Sequence, residues 1–250
     1  MRTQAPSHSH RRWLLARAFL RVLTRLYSRV RVEGLEALPD GPSVLCFSHQ
    51  SWADPFYLFG TLPGKPRVYF FGPEQEDMRR GFRNWIMRWS GAVVPFQPGK
   101  RGLVAATRRA EALVAGGAVI AIAGEGRIHS GESELLPLLD GPAYLALRAG
   151  VPIVPVAING TSWLGFRRSV RVRYGVPIPL PEGAAGAATR EAVDAMTART
   201  WASLHTLAAG FPDPSPPHAV GRRLTEMFND WPEGARPPIP VRDEGPVVPE

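Results

Sequence analysis

His49 and Asp54, five residues apart, are side chains able to move a proton between them. Residues at that spacing do not share a helix face, so a turn has to bring them together. Pro55 follows at once and fits a helix starting there, with Asp54 near the N-cap and Pro55 at the first helical position. Histidine titrates near neutrality, and a carboxylate on one ring nitrogen fixes its tautomer and raises its basicity. The other nitrogen can then take a proton from a substrate hydroxyl. A histidine in such a place also serves purely structural ends, and the spacing alone does not choose. A second cluster is Gly124-Glu125-Gly126-Arg127. Its glycines let the backbone approach a ligand closely, Arg127 can fork onto a phosphate, and Glu125 can bond a hydroxyl or pair with Arg127. The plainer reading is a glycine turn with one surface ion pair, worth little.

Both clusters directly follow apolar runs, Ser43–Phe47 and Val119–Ala123. With Val68–Phe71, Val93–Val94 and Ile153–Ile158 these runs read as strands. Helical patterns near Pro55–Gly60, Arg79–Trp89, Gly102–Ala115 and Gly141–Arg148 alternate with them. Strands apolar on both faces suit a covered sheet, so the expected fold is α/β with a mostly parallel central sheet flanked by helices. In such folds a strand end leading into a helix is where functional groups sit. Pro152 and Pro155 weaken the strand around Val154, because proline removes a ladder donor. Val170–Tyr174 alternates and reads as a strand with one wet face, and Thr189–Ala209 as a last helix.

The chain has 250 residues, 44% of them hydrophobic, which suffices for one ordinary α/β domain or two small ones. A single cysteine, Cys46, excludes an internal disulfide and a cysteine-rich zinc site, and it reads as a small buried residue. His8, His10, His205 and His218 form no metal-ligand spacing, so neither metal nor cofactor is expected. The net charge of +8 is local: residues 1–31 hold eight arginines and no acid, leaving 22 basic and 22 acidic groups in the rest. A neutral body argues against a nucleic-acid partner.

Arg11–Arg31 reads as a helix with a basic stripe, Arg17, Arg21, Arg25 and Arg29. Leu15, Phe19, Val22, Leu23, Leu26 and Val30 line another side, widened by Trp13, Leu20 and Tyr27. Such a helix either lies on an anionic membrane surface, with Trp13, Arg17, Phe19, Arg21 and Arg25 as contacts, or packs on the domain with its arginines in water. No uninterrupted apolar run reaches the length of a membrane span. The expected division is an amphipathic arm over 1–31, a main domain over 32–210 and a proline-rich tail over 211–250, extended or disordered from 232 onward. Ten of the 26 prolines fall in that tail. Phe82, Trp85 and Trp89 line either an acyl channel or membrane interface, or a core; Trp52 is either a lid or a packing residue. His129 reads as a loop residue.

Together these residues resemble the glycerolipid acyltransferase family that includes bacterial 1-acylglycerol-3-phosphate acyltransferases. His49 and Asp54 match its His-x4-Asp motif. Ala123-Gly124-Glu125-Gly126-Arg127 resembles a variant of its acceptor-binding motif, with Gly124 in place of a proline. Val151-Pro152-Ile153-Val154-Pro155 matches a later apolar stretch around a proline. The resemblance covers roughly residues 30–180, in the family's order. It implies a glycerol-3-phosphate acyltransferase-like fold on the cytoplasmic face of a membrane. It implies an O-acyltransferase in which His49 is general base and Asp54 orients it. The donor would be acyl-CoA or acyl-carrier protein, and the acceptor a lysophospholipid such as 1-acylglycerol 3-phosphate. Glu125, Gly126 and Arg127 would bind the substrate. One motif departs: Gln97 stands where the family has a phosphate-holding arginine. Either Lys100 and Arg101 do that work from a shifted loop, or the acceptor is another lipid or glycolipid. A non-catalytic membrane lipid binder is the alternative of a different class. No residue reads as a covalent nucleophile, since Ser48 and Ser51 lack the hydrolase elbow. Backbone donors near the helix after Asp54 are the expected oxyanion site.

Overall fold

The structure is a computed structural model that describes residues 7–73, 81–97, 99–129, 131–212 and 218–227. Its strands are β1 (Arg29–Glu33), β2 (Val44–Phe47), β3 (Val68–Pro73), β4 (Val93–Phe96), β5 (Val119–Ala123), β6 (Ile153–Asn159) and β7 (Ser169–Tyr174). They form one sheet in the order β1-β7-β6-β2-β5-β3-β4. The run β6-β2-β5-β3-β4 is parallel throughout. The β7 strand is antiparallel to β6, and β1 pairs parallel with β7. This is the mostly parallel sheet that the doubly apolar runs imply.

Among the described residues seven helices cover it: α1 (Ser7–Tyr27), α2 (Asp54–Thr61), α3 (Gly81–Ser90), α4 (Lys100–Ala115), α5 (Gly141–Ala149), α6 (Arg190–Ala208) and α7 (Ala219–Glu226). Because side chains alternate along a strand, Leu45 and Phe47 point to one face, Val44 and Cys46 to the other. The first face packs with buried residues of α1, α2 and α3, the second with those of α4, α5 and α6. Thr189 caps α6, its hydroxyl accepting the Ala192 N–H at 3.2 Å.

Pro155 sits inside β6 without breaking it. Its carbonyl accepts the Gly175 N–H at 2.8 Å, so its missing donor also faces the β7 side. There the ladder has a gap between the Val156–Tyr174 pair and the isolated Ile153–Ile178 bridge.

The start of the chain differs from the arm expected of it. The helix ends at Tyr27, and Arg29–Glu33 becomes an edge strand with Val30 and Val32 turned to the core. A boundary at residue 31 therefore cuts a strand. Trp13, Ala16, Leu20 and Thr24 form the buried face of α1. The Trp13 indole donates to the Val68 carbonyl at 3.0 Å, so it is a core residue and not a lipid contact. Arg17 and Arg21 are half-buried at the border, and the Arg17 guanidinium donates to the Leu62 carbonyl. Arg25 is exposed. On the other side Leu15, Phe19, Val22, Leu23 and Leu26 are each 49–66% exposed. The wide apolar face is thus left uncovered, and a narrower stripe does the packing. At the other end, α7 lies within the region expected to be tail; residues 232–250 fall outside the described ones.

Trp13→Ala should cost about 3–5 kcal/mol of unfolding free energy, whereas Leu15→Ala should stay within about 0.5 kcal/mol. Denaturant melts of both variants check this, and equal losses would show that α1 does not dock through the Trp13 face.

Candidate active site

Three loops meet where β6, β2 and β5 end, three neighbours in the sheet. The loop after β2 carries His49 and Asp54. Asp54 is fully buried in the first turn of α2. Its Oδ2 accepts the His49 Nδ1 at 3.0 Å and the backbone N–H groups of Gln50 and Ser51 at 2.6 and 2.8 Å. Its Oδ1 accepts the Thr161 hydroxyl from the loop after β6. The carboxylate therefore folds the turn around itself. An ionised carboxylate only accepts, so His49 donates from Nδ1 and its Nε2 is left as an acceptor. The His49 side chain is 14% exposed, enough for one ring edge to meet a substrate.

Four amides of the turn are taken. Asp54 holds those of Gln50 and Ser51, the Ser51 hydroxyl that of Ala53, and the Ser51 carbonyl that of Asp54. An oxyanion site made from these amides is not what the structure builds. Ser48 is no nucleophile either: its buried hydroxyl accepts the Ile158 N–H at 2.9 Å, tying β2 to β6. Burial, reinforced by the Glu125 charge, pushes the Cys46 thiol far above its ordinary range, so it stays protonated. Trp52 is a packing residue, half-buried against Phe56, with its indole donating to the Leu224 carbonyl of α7 at 3.2 Å.

The loop after β5 divides its roles. Glu125 is buried and turned inward. Its Oε2 accepts the His49 N–H at 2.9 Å, and its Oε1 accepts the Leu136 N–H at 3.3 Å and pairs with the His129 Nε2 at 2.9 Å. Both oxygens are thus engaged in holding the loop. Gly126 and Arg127 are exposed, and Arg127 makes no ion pair among the described residues. Gly126 has φ +67°, the left-handed region that favours glycine. Gly124 is required by space: a Cβ there would lie 2.6 Å from the Cys46 Sγ and 2.8 Å from a Leu138 methyl. Its N–H also donates to the Phe47 carbonyl at 2.9 Å, a bond that a proline would lose.

Residues that sequence reasoning missed complete the site. Glu132, fully buried, accepts the Gly160 N–H and both the N–H and hydroxyl of Ser162, fixing the loop that presents Thr161. Burial raises its pKa, and those hydrogen bonds oppose the rise. Gln50 donates to the carbonyls of Gly131 and Glu132 at 3.2 and 3.1 Å. Thr161 had a signal, since it follows the end of an apolar run as His49 and Glu125 do; Glu132 had none.

Other predicted residues lie apart. Arg101 is exposed in the first turn of α4, after β4. The strand order puts β4 three positions from β2, about 14 Å away. The Lys100 side chain falls outside the described residues. A groove of about 720 Å³ between α4, α5 and α6, lined by Leu103, Val104 and Tyr144, contains none of His49, Asp54, Glu125 and Thr161.

A family model described as Acyltransferase matches residues 29–159. Over 137 residues the chain is 30% identical to a chloroplastic 1-acyl-sn-glycerol-3-phosphate acyltransferase of Brassica napus, covering 54% of this chain and 38% of that protein. It is 28% identical to a 1-acyl-sn-glycerol-3-phosphate acyltransferase of Pseudomonas aeruginosa, covering 61% of each. The chain thus spans less than two thirds of either relative. The crystal structure of the 1-acyl-sn-glycerophosphate acyltransferase PlsC of Thermotoga maritima has the same fold. Its TM-score is 0.62 at 22% identity, over 80% of this chain and 81% of that one.

Gly124→Ala should cost about 1–3 kcal/mol by overpacking. The cost should shrink in a Cys46→Ala background, because the nearer obstructing atom is then gone. Thermal melts of the four proteins in the cycle check this; an unchanged cost would show that Cys46 is not the obstacle.

Proposed function

Because the chain belongs to the acyltransferase family, we propose that it moves a fatty acyl group from a thioester, acyl-CoA or acyl-carrier protein, to the hydroxyl of a lysophospholipid such as 1-acylglycerol 3-phosphate. The observation that carries this reading is the His49–Asp54 pair, with Nδ1 held and Nε2 left to accept. His49 takes the acceptor's hydroxyl proton onto Nε2 as the oxygen attacks the thioester carbonyl. The carbon–sulfur bond then breaks, and the departing thiolate recovers the proton from the imidazolium. Acyl group and proton both balance without a covalent enzyme intermediate. In this reading Arg127, which is exposed, meets the acceptor phosphate as a bidentate donor. Gln97, exposed after β4, supports a second reading in which the acceptor is another lipid or glycolipid.

The protein works as a peripheral membrane enzyme in this reading. No helix among the described residues is long and apolar enough to cross a membrane. The uncovered strip Leu15, Phe19, Val22, Leu23 and Leu26, bordered by arginines, instead supports lying in an interface. Anionic lipids of a cytoplasmic leaflet would favour that charge.

Thiol release from a long-chain acyl-CoA should depend on added 1-acylglycerol 3-phosphate and fall by about 10²- to 10⁴-fold in His49→Ala. The variant's circular dichroism should stay that of wild type. Acceptor-dependent release surviving in that variant would remove His49 from the reaction, and release only with other acceptors in a panel would favour the second reading. Replacing Phe19, Val22 and Leu26 by glutamine should abolish sedimentation with anionic vesicles while the thermal midpoint stays within a few degrees. Undiminished sedimentation would mean that another surface binds lipid.

A further inference from the structure

His129 is a buried titratable group with no part in the proton transfer described above. Its surroundings give it one. Glu125 Oε2 accepts the backbone N–H of His49 at 2.9 Å, and the backbone N–H of His129 donates to the His49 carbonyl at 3.2 Å. Both polar groups of the His49 main chain are therefore held by two residues that are themselves paired, Nε2 to Oε1 at 2.9 Å. We infer that His129 is a positioning residue for acyl transfer: as an imidazolium it balances the buried Glu125 carboxylate, and the two together fix the backbone of His49 so that its ring meets Asp54.

Charge balance supports the imidazolium. His129 faces Glu125 and Glu132 from its own loop, Asp54 from the start of α2, and the loop carrying His49 from β2. All three carboxylates are buried. An uncompensated charge in the interior is costly, and one cation among three carboxylates offsets part of that cost. Neither ring nitrogen makes a well-aligned hydrogen bond among the described residues, so the 2.9 Å approach of Nε2 to Glu125 Oε1 is a contact of charge. Burial alone would lower the histidine's pKa. The close contact and charge of Glu125, with the charges of Asp54 and Glu132, outweigh it, and the net direction is upward. The charge is then fully present below the unfolded value of about 6.5 and is lost as pH rises through the higher folded value.

This role rests on the acyl-transfer reading, so the test has one arm that needs no turnover. Imidazole NMR of the whole protein should find His129 charged at pH 7 and titrating above the other histidines. His129→Gln should shift the His49 backbone amide resonance. A neutral His129 at pH 7, or an unmoved amide, overturns the inference whatever the enzyme turns over. In the kinetic arm His129→Gln should lower kcat by about 10- to 100-fold while KM for donor and acceptor changes little. Wild type should lose kcat on the alkaline side, and His129→Gln should remove that fall. Glu125→Gln combined with His129→Gln, a neutral pair that keeps one acceptor for the His49 N–H and can bond side chain to side chain, should recover part of kcat. A single variant with wild-type kcat and pH profile, or a double variant worse than the product of the singles, contradicts the charge-balanced clamp.

Discussion

Asp54 is a carboxylate placed where water does not reach. Taking such a charge out of water costs several kcal/mol unless donors replace the solvent. Four do: the His49 ring, the amides of Gln50 and Ser51, and the Thr161 hydroxyl. The need to satisfy this group shapes what surrounds it. The chain after β2 must wrap back on the first turn of α2, the β6–β7 loop must arrive with a hydroxyl, and one nitrogen of His49 is committed. In the proposed reaction the chemistry falls to the nitrogen left over.

The sheet order makes this possible. With β2 between β6 and β5, the loops leaving all three strands reach one place. Further buried polar groups keep those loops in register: Glu132 under the Thr161 loop, and Glu125 with His129 under His49. Helix α1 backs α2 from behind. Gly60 of α2 lets the helices approach so closely that a Cβ there would lie 3.2 Å from the Arg21 backbone, and the Ser28 hydroxyl meets the Tyr57 hydroxyl at 2.6 Å. The helix whose outer face is apolar and uncovered is thus also a wall of the domain that holds the base. The loops of the candidate site and the uncovered apolar strip of α1 belong to one continuous body.

The fold class was legible because the strands are apolar on both faces, and His49 and Asp54 were legible because a strand end precedes a helix start. What was not legible depended on partners distant in sequence. Trp13 and Leu15 are equally apolar, and only α2, α3 and β3 decide that the first is core. Arg29-Val30-Arg31-Val32 carries the alternation of a strand, but the helical periodicity of the preceding residues masked it. Glu125 has the right residue type for substrate binding, yet its carboxylate is spent on an amide of β2's loop, 76 residues away in sequence. His129 and Glu132 lie in a polar loop without apolar periodicity, so nothing local marked them as interior.

The central claim is that Asp54 commits the Nδ1 of His49 and leaves Nε2 as the base. Nitrogen NMR of the neutral His49 imidazole, in the whole protein and in Asp54→Asn, tests it most directly. The structure predicts a proton on Nδ1 and a bare Nε2 in wild type, with that preference weakened in the variant. A wild-type ring protonated on Nε2, or one whose tautomer ignores Asp54, would contradict it.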